Sequence, residues 1–169
     1  MNNVRTEPAP TYNSGQELPY EFTAEETLTL EATCEIIERK YLRKSDALRS
    51  PELTRQYLCS HLAQEPFEVF GVLWLDNRHR VIETVNLFNG TVDGAAVYPR
   101  VVATSALKHH ASACIFFHNH PSGNPEPSQA DVSLTKRLKE SLELIDVRLL
   151  DHLVIGGNES ISLAERGLL

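Results

Sequence analysis

Cysteine is scarce in this chain, and the three present (Cys34, Cys59 and Cys114) are widely spaced, odd in number and form no Cys-x-x-Cys pair. That pattern does not build a disulfide framework and leads us to expect buried thiols in a reducing cytoplasm. Long hydrophobic runs are missing as well. No stretch of 18 apolar residues exists, which excludes a transmembrane helix. The opening residues "MNNVRTEPAPTYNSGQELPYEF" contain no apolar core of a secretory signal, so the expectation is a cytoplasmic protein with no membrane attachment. Positive charge is in deficit: 16 Lys and Arg face 23 Asp and Glu, a formal charge of −7. Phosphate binding relies on a Lys and Arg excess, so specific nucleic-acid binding is not expected. No internal repeat is found. What is present is a chain of 169 residues with 41% hydrophobic content, enough for one globular domain with a core of useful size.

Residues 1–22 are polar and proline-rich and read as a disordered tail. Residues 23–63 read as an N-terminal helical segment. It opens with the capping-box pattern Thr23-Ala-Glu-Glu26, and Leu30, Cys34, Ile37 and Tyr41 fall on one helical face ending near Leu42. Arg39, Lys40, Arg43 and Lys44 suit the negative C-terminal pole of that helix, or a local phosphate-binding patch. A second helix is expected from Ser50-Pro51, burying Leu53, Tyr57 and Leu62.

From residue 64 to 169 strands and helices alternate. Glu68–Leu75 is a nearly continuous apolar run, as in a strand buried on both faces. After a turn at Asp76-Asn77, Val81–Phe88 reads as a second strand, and Gly90 and Gly94 mark a loop. Pro99 to His110 follows as a helix with Val102, Ala106 and His109 on one side. Ala113–Phe117 is a short buried strand, and residues 128 to 144 are a helix with Val132, Leu134, Leu138, Leu142 and Ile145 inward. Arg148–Ile155 is a last strand, closed by Gly156-Gly157. The alternation predicts an α/β fold, a layered mixed β-sheet flanked by helices.

The stretch "HNHPSGNPEPSQAD", residues 118–131, carries the chemistry. Residues i and i+2 of an extended chain point to one side, so His118 and His120 can aim both rings at one point. The Gly-Pro loop reverses the chain, and Ser128-Gln-Ala-Asp131 is a helix start that places Asp131 in the first turn. Three such ligands leave one position of a zinc ion open for water, as in catalytic sites, and the metal lowers that water's pKa toward about 7. Spacing alone leaves alternatives open. An His-x-His pair is also a common polar loop element, Asp131 a common helix-start carboxylate, and Ser128 a sound N-cap.

The stretch resembles the His-x-His-(seven residues)-Ser-x-x-Asp signature of the JAMM, or MPN-type, metallopeptidases. The segments "VYPRVV", "FFHNHPSGNPEPSQAD", "RLLDHLVIGG" and "ERGLL" are similar to the RadC family, a bacterial branch bearing this domain, over about residues 50–169. The resemblance implies a JAMM/MPN-like, cytidine-deaminase-like architecture and one zinc held by His118, His120, Asp131 and a water. It further implies that Ser128 stabilises an oxyanion and that a glutamate from an early strand acts as base. Glu68, in "EVFGVL", best matches that glutamate; Glu65, Glu83 and Glu126 compete. Asp151 and His152 are open to a supporting role, but "LDHLVIG" reads first as a strand whose polar pair meets solvent or backbone. His61, His79, His109 and His110 read as helix or turn surface residues. Longer RadC proteins carry a helix-hairpin-helix region that residues 1–22 are too short and polar to contain.

The expectation is a zinc-dependent hydrolase of peptide or isopeptide bonds, with a peptide or isopeptide-linked protein as partner. The rivals are a DNA-repair-associated nucleic-acid-binding module, for which only residues 39–49 offer a basic face, and a catalytically inactive interaction domain. A nucleobase deaminase would need His-x-Glu and Pro-Cys-x-x-Cys, and neither occurs.

Overall fold

Strand β1 (Val69–Leu75, VFGVLWL) has every residue buried, because both faces of the sheet are covered by helices and β1 lies near its centre. The computed structural model describes residues 22–37, 39, 51–90 and 97–169. Around β1 are β2 (Val81–Asn89), β3 (Ala113–Asn119), β4 (Arg148–Gly156) and β5 (Glu159–Ser162), with helices α1 (Ala24–Ile37), α2 (Pro51–Leu62), α3 (Pro99–Lys108) and α4 (Gln129–Glu143). The strands form one mixed sheet of order β2-β1-β3-β4-β5, an α/β architecture as expected. Every pairing is antiparallel except β3 with β4, which is parallel and bridged by α4.

Alternation along the strands divides the core in two. Val69, Leu73 and Leu75 of β1, with Ala113, Ile115 and Phe117 of β3, face Tyr57, Leu58 and Leu62 of α2. Phe70, Val72 and Trp74, with Cys114 and Phe116, face Val102 and Ala106 of α3 and Leu138 and Leu142 of α4. His118 continues the second set by parity. It therefore lies on the α3/α4 side of the sheet, where β3 ends.

Several boundaries differ from expectation. β3 runs two residues further, through His118 and Asn119, because both stay in register with β4 opposite Val154 and Ile155. α3 stops at Lys108, and His110 takes a positive φ of 50° in the turn that follows. Strand β5 was not expected. Its four residues are short and polar, and it exists because Gly157, at φ 58°, turns the chain back onto β4. In α2 the buried face is Thr54, Tyr57, Leu58 and Leu62, so Leu53 is only half-buried. Thr23 and Glu26 form the expected capping box, Thr23 N donating to Glu26 Oε2 at 2.8 Å and Glu26 N to Thr23 Oγ1 at 3.3 Å. α1 packs on the α2 side through Cys34 and Ile37. The expectations for residues 1–21, 40–50 and Gly94 lie outside the described residues. Cys114 is buried as expected, whereas Cys34 and Cys59 are half-buried. No described helix is long and apolar enough to cross a membrane.

Candidate metal centre

Three elements converge at the C-terminal end of β3. The strand delivers His118 and His120, the loop behind it turns back across β4, and α4 begins with Asp131 facing the two rings. The turn of the loop requires a glycine on β4. A Cβ on Gly156 would stand 2.4 Å from Pro125 N and 2.7 Å from Gly123 O, so only hydrogen there lets the loop pack down. Backbone bonds finish the placement: His120 N donates to Ile155 O at 2.8 Å and Gly123 N to His120 O at 2.9 Å.

The donor atoms meet closely. His118 Nε2 and His120 Nε2 are 3.0 Å apart, Asp131 Oδ1 lies 3.5 Å from His118 Nε2, and Asp131 Oδ2 lies 3.7 Å from His120 Nε2. A tetrahedral zinc at about 2.0–2.1 Å from each donor sets its ligands about 3.3 Å apart. Asp131 approaches the two rings through different oxygens, and one donor atom from each of the three residues lies within 4.8 Å of the others, so these residues fit the ion that the sequence implies. His120 Nδ1 is 2.8 Å from Asn124 O, a carbonyl that can only accept. The Nδ1 proton is thus fixed, and in the neutral ring Nε2 presents its lone pair to the centre.

Asp131 is held by the start of α4. Its Oδ2 accepts from Ser128 N at 2.7 Å and from Ser128 Oγ at 2.6 Å, and its own N donates to Ser128 Oγ at 3.2 Å, a complete capping box. Burial alone raises the Asp131 carboxyl, but the neighbouring His118 and His120 rings and the bond from Ser128 outweigh it and hold the group far below the usual carboxylate range. The Asp131 carboxylate beside it raises His120 above its ordinary value, against a smaller lowering by burial, and the charge of Glu68 adds to the rise.

Glu68, His118, His120, Ser128 and Asp131 all line one cavity of about 570 Å³. Phe70, Tyr98 and Leu134 add apolar surface to its lining, and Arg137 lines it too. The competing glutamates are elsewhere. Glu83 pairs with Trp74 toward the opposite end of β1, Glu126 forms an ion pair with Arg166, and Glu65 is not on the cavity wall.

Two further residues bear on the site and were not picked out by sequence. Asn119, between the two histidines, is 5% exposed and turns to the other face of the sheet. Its Oδ1 accepts from Val69 N at 2.7 Å and its Nδ2 donates to Phe67 O at 3.0 Å. The backbone on both sides of Glu68 is thereby clamped to β3. Thr135, one turn into α4, is wholly buried beside His152. The expectation for the pair in "LDHLVIG" holds for Asp151, which accepts from backbone N–H groups, and needs correcting for His152. His152 meets neither solvent nor backbone through its ring, because β4 parity turns it into the α3/α4 core, where its Nε2 lies 2.8 Å from His118 Nδ1. Burial and the neighbouring His118 push its imidazole well below the ordinary range. Asp151 turns away, accepting from Ser162 Oγ at 2.6 Å and Ala164 N at 3.0 Å, which secures β5 and the chain after it. The remaining histidines are only partly at the surface. His109 is half-buried and stacks on Trp74, and His61 stacks on Tyr57 and lies 3.2 Å from Asn86 Oδ1. His110 is exposed, and His79 meets Arg148 at 3.1 Å.

The chain is 64% identical over 128 residues to a UPF0758 protein of Marinobacter nauticus, covering 76% of this chain and 57% of that protein. It is 55% identical over 143 residues to a UPF0758 protein of Azotobacter vinelandii, covering 83% and 64%. A shorter relative from Vibrio cholerae is 53% identical over 146 residues, covering 86% of this chain and 91% of its own length. The chain thus spans less than two thirds of the Marinobacter and Azotobacter proteins. The family model described as the RadC-like JAB domain matches residues 48–168, which include every residue of the metal centre and of the sheet around it, and the chain belongs to that family.

Proposed function

We propose that this chain is a zinc-dependent hydrolase of peptide or isopeptide bonds. One observation carries the reading: a three-donor metal centre opens into the same cavity as a carboxylate that is not among its donors. A structural zinc site is closed by four protein ligands, whereas a catalytic one keeps a position open. Zinc, when bound, supplies a Lewis acid that polarises a carbonyl and brings the pKa of water toward about 7.

The residues then divide the work. His118, His120 and Asp131 hold the ion. Glu68 takes a proton from the attacking water and returns it to the departing amine. Its place is held by the Asn119 clamp on Phe67 and Val69. Ser128 Oγ stays in the cap, accepting from Asp131 N, and turns its proton from Asp131 Oδ2 to the developing oxyanion. The apolar surface of the cavity accommodates substrate side chains beside the scissile bond. The names of the relatives specify no reaction, so the reading rests on the site.

Glu68→Gln tests it. The variant keeps volume and polarity but loses the basic carboxylate. Zinc content should be unchanged while hydrolysis of peptide or isopeptide substrates falls by about 10²- to 10⁴-fold. Full activity in the variant would remove Glu68 from the role. A tight, sequence-dependent complex with duplex DNA at physiological salt, without hydrolysis, would favour the nucleic-acid module instead.

A further inference from the structure

His118 Nδ1 faces not a carboxylate or a carbonyl, the usual partners of a metal-binding histidine, but a second imidazole. The bonds continue beyond it. His118 Nδ1 is 2.8 Å from His152 Nε2, His152 Nδ1 is 2.6 Å from Thr135 Oγ1, and Thr135 Oγ1 is 2.6 Å from the backbone oxygen of Asp131. All three side chains are at most 1% exposed, so water does not enter the chain.

The proton positions follow from the far end. Two oxygens 2.6 Å apart need a proton between them, and the Asp131 carbonyl has none to give. The Thr135 hydroxyl proton is therefore committed to Asp131 O. Thr135 Oγ1 can then only accept from His152, which places the His152 proton on Nδ1. His152 lies edge-on against Phe70 and Phe116, with ring centroids at 5.5 and 5.9 Å, and among the described residues no carboxylate touches its ring nitrogens. A charge there would be buried and unpaired, so the ring is neutral and Nε2 is an acceptor. His118 must donate from Nδ1, which leaves its Nε2 lone pair facing His120 and Asp131.

We infer that Thr135 and His152 are positioning residues for the metal centre, forming a directed hydrogen-bond relay that starts at the Asp131 carbonyl and fixes His118 as an Nε2 ligand. Asp131 then serves the site twice, through its carboxylate at the centre and through its carbonyl at the root of the relay. The first turn of α4 and the middle of β4 are thereby tied to one donor geometry. A neutral acceptor also leaves His118 a less electron-rich ligand than a carboxylate partner would, which keeps the bound cation more electrophilic. The inference rests on the metal-centre reading for its purpose, though the direction of the bonds does not depend on it.

The test has two arms. In histidine ¹⁵N–¹H correlation spectra of the protein, metal-free and zinc-loaded, His152 should appear as the neutral Nδ1–H tautomer with an accepting Nε2. An Nε2–H or doubly protonated His152 overturns the relay, whatever the variants do. In the second arm, zinc affinity is measured by competition with a chromophoric chelator. His152→Leu and Thr135→Val, both checked for folding by circular dichroism, should bind zinc about 10- to 100-fold more weakly. His152→Gln can accept from His118 through its carbonyl and donate to Thr135 through its amide, and should recover most of the loss. Should His152→Leu fail to fold, the shape-preserving Thr135→Val carries the comparison with His152→Gln. Affinities within threefold of the parent in the folded variants overturn the inference. A parent protein that binds no zinc refutes the metal-centre reading alone, since the tautomer result is obtained without metal.

Discussion

Replacing Asn119 by Ala should separate the stability of the fold from occupancy of the metal centre. Val69 is 1% exposed, and its N–H finds its acceptor in Asn119 Oδ1 at 2.7 Å. Stranding a buried donor costs roughly 1–3 kcal/mol. The Phe67 carbonyl, on a half-buried residue that water can reach, loses a bond of 3.0 Å worth about 0.5–1.5 kcal/mol. The 3.5 Å contact to Glu65 O is too long to add much. The sum is a loss of about 1.5–4.5 kcal/mol, read by urea denaturation followed by circular dichroism. At about 2–4 °C per kcal/mol in a chain of this size, the midpoint of thermal unfolding should fall by roughly 3–18 °C. Zinc affinity should change little, because His118 is held through His152 and His120 through Asn124 O and Ile155 O. Hydrolysis should fall further than zinc binding, since the released backbone is the one that carries Glu68. A stability change below about 0.5 kcal/mol would refute the clamp, and a loss of zinc as large as the loss of rate would refute the division of labour.

Gly156→Ala should act in the opposite way, on the metal rather than the base. The new Cβ meets backbone atoms of residues 123–125, the loop must shift, and the Asn124 carbonyl that orients His120 shifts with it. Chelator competition should show zinc affinity lower by about 10-fold or more. The pH dependence of zinc binding should be set by His120, which the neighbouring Asp131 carboxylate lifts above its ordinary value, while Asp131 stays ionised far into acid. Affinity should be level at alkaline pH and fall by about tenfold per pH unit once His120 binds a proton, starting above pH ~6.5. Titrations at several pH values check it, and an affinity that is flat down to pH ~5 would contradict the proton-competition picture.

Much of this was legible in the sequence because local rules and tertiary structure agree. The apolar run of β1 reads as a doubly covered strand, and it is one. Two histidines at i and i+2 followed by a Ser-x-x-Asp helix start read as three convergent donors, and parity and capping bring them together. Failures came where the deciding partner is distant. "LDHLVIG" shows a polar pair, and only the register of β4 beside β3, with His152 opposite Phe116, reveals that one of the two points inward to His118. Thr135 is a polar residue at a helical core position, unremarkable until His152 stands beside it. Asn119 looked like a spacer between ligands, yet alternation turns it to the opposite face, where it reaches a segment 50 residues earlier in the chain. Strand β5 had a signal, Gly157-Asn158 between two extended stretches, which is a two-residue hairpin turn. Its polar sequence hid it.

The most direct measurement is the metal content of the purified chain by elemental analysis, alongside His120→Ala. His120 is half-buried and lies just beyond the end of β3, outside both halves of the core, so its loss leaves them intact. About one zinc per chain in the parent, and most of it gone from a variant that unfolds at nearly the same urea concentration, is the result the account predicts. Equal zinc in the two proteins, or none in either after growth and purification with zinc supplied, would contradict it.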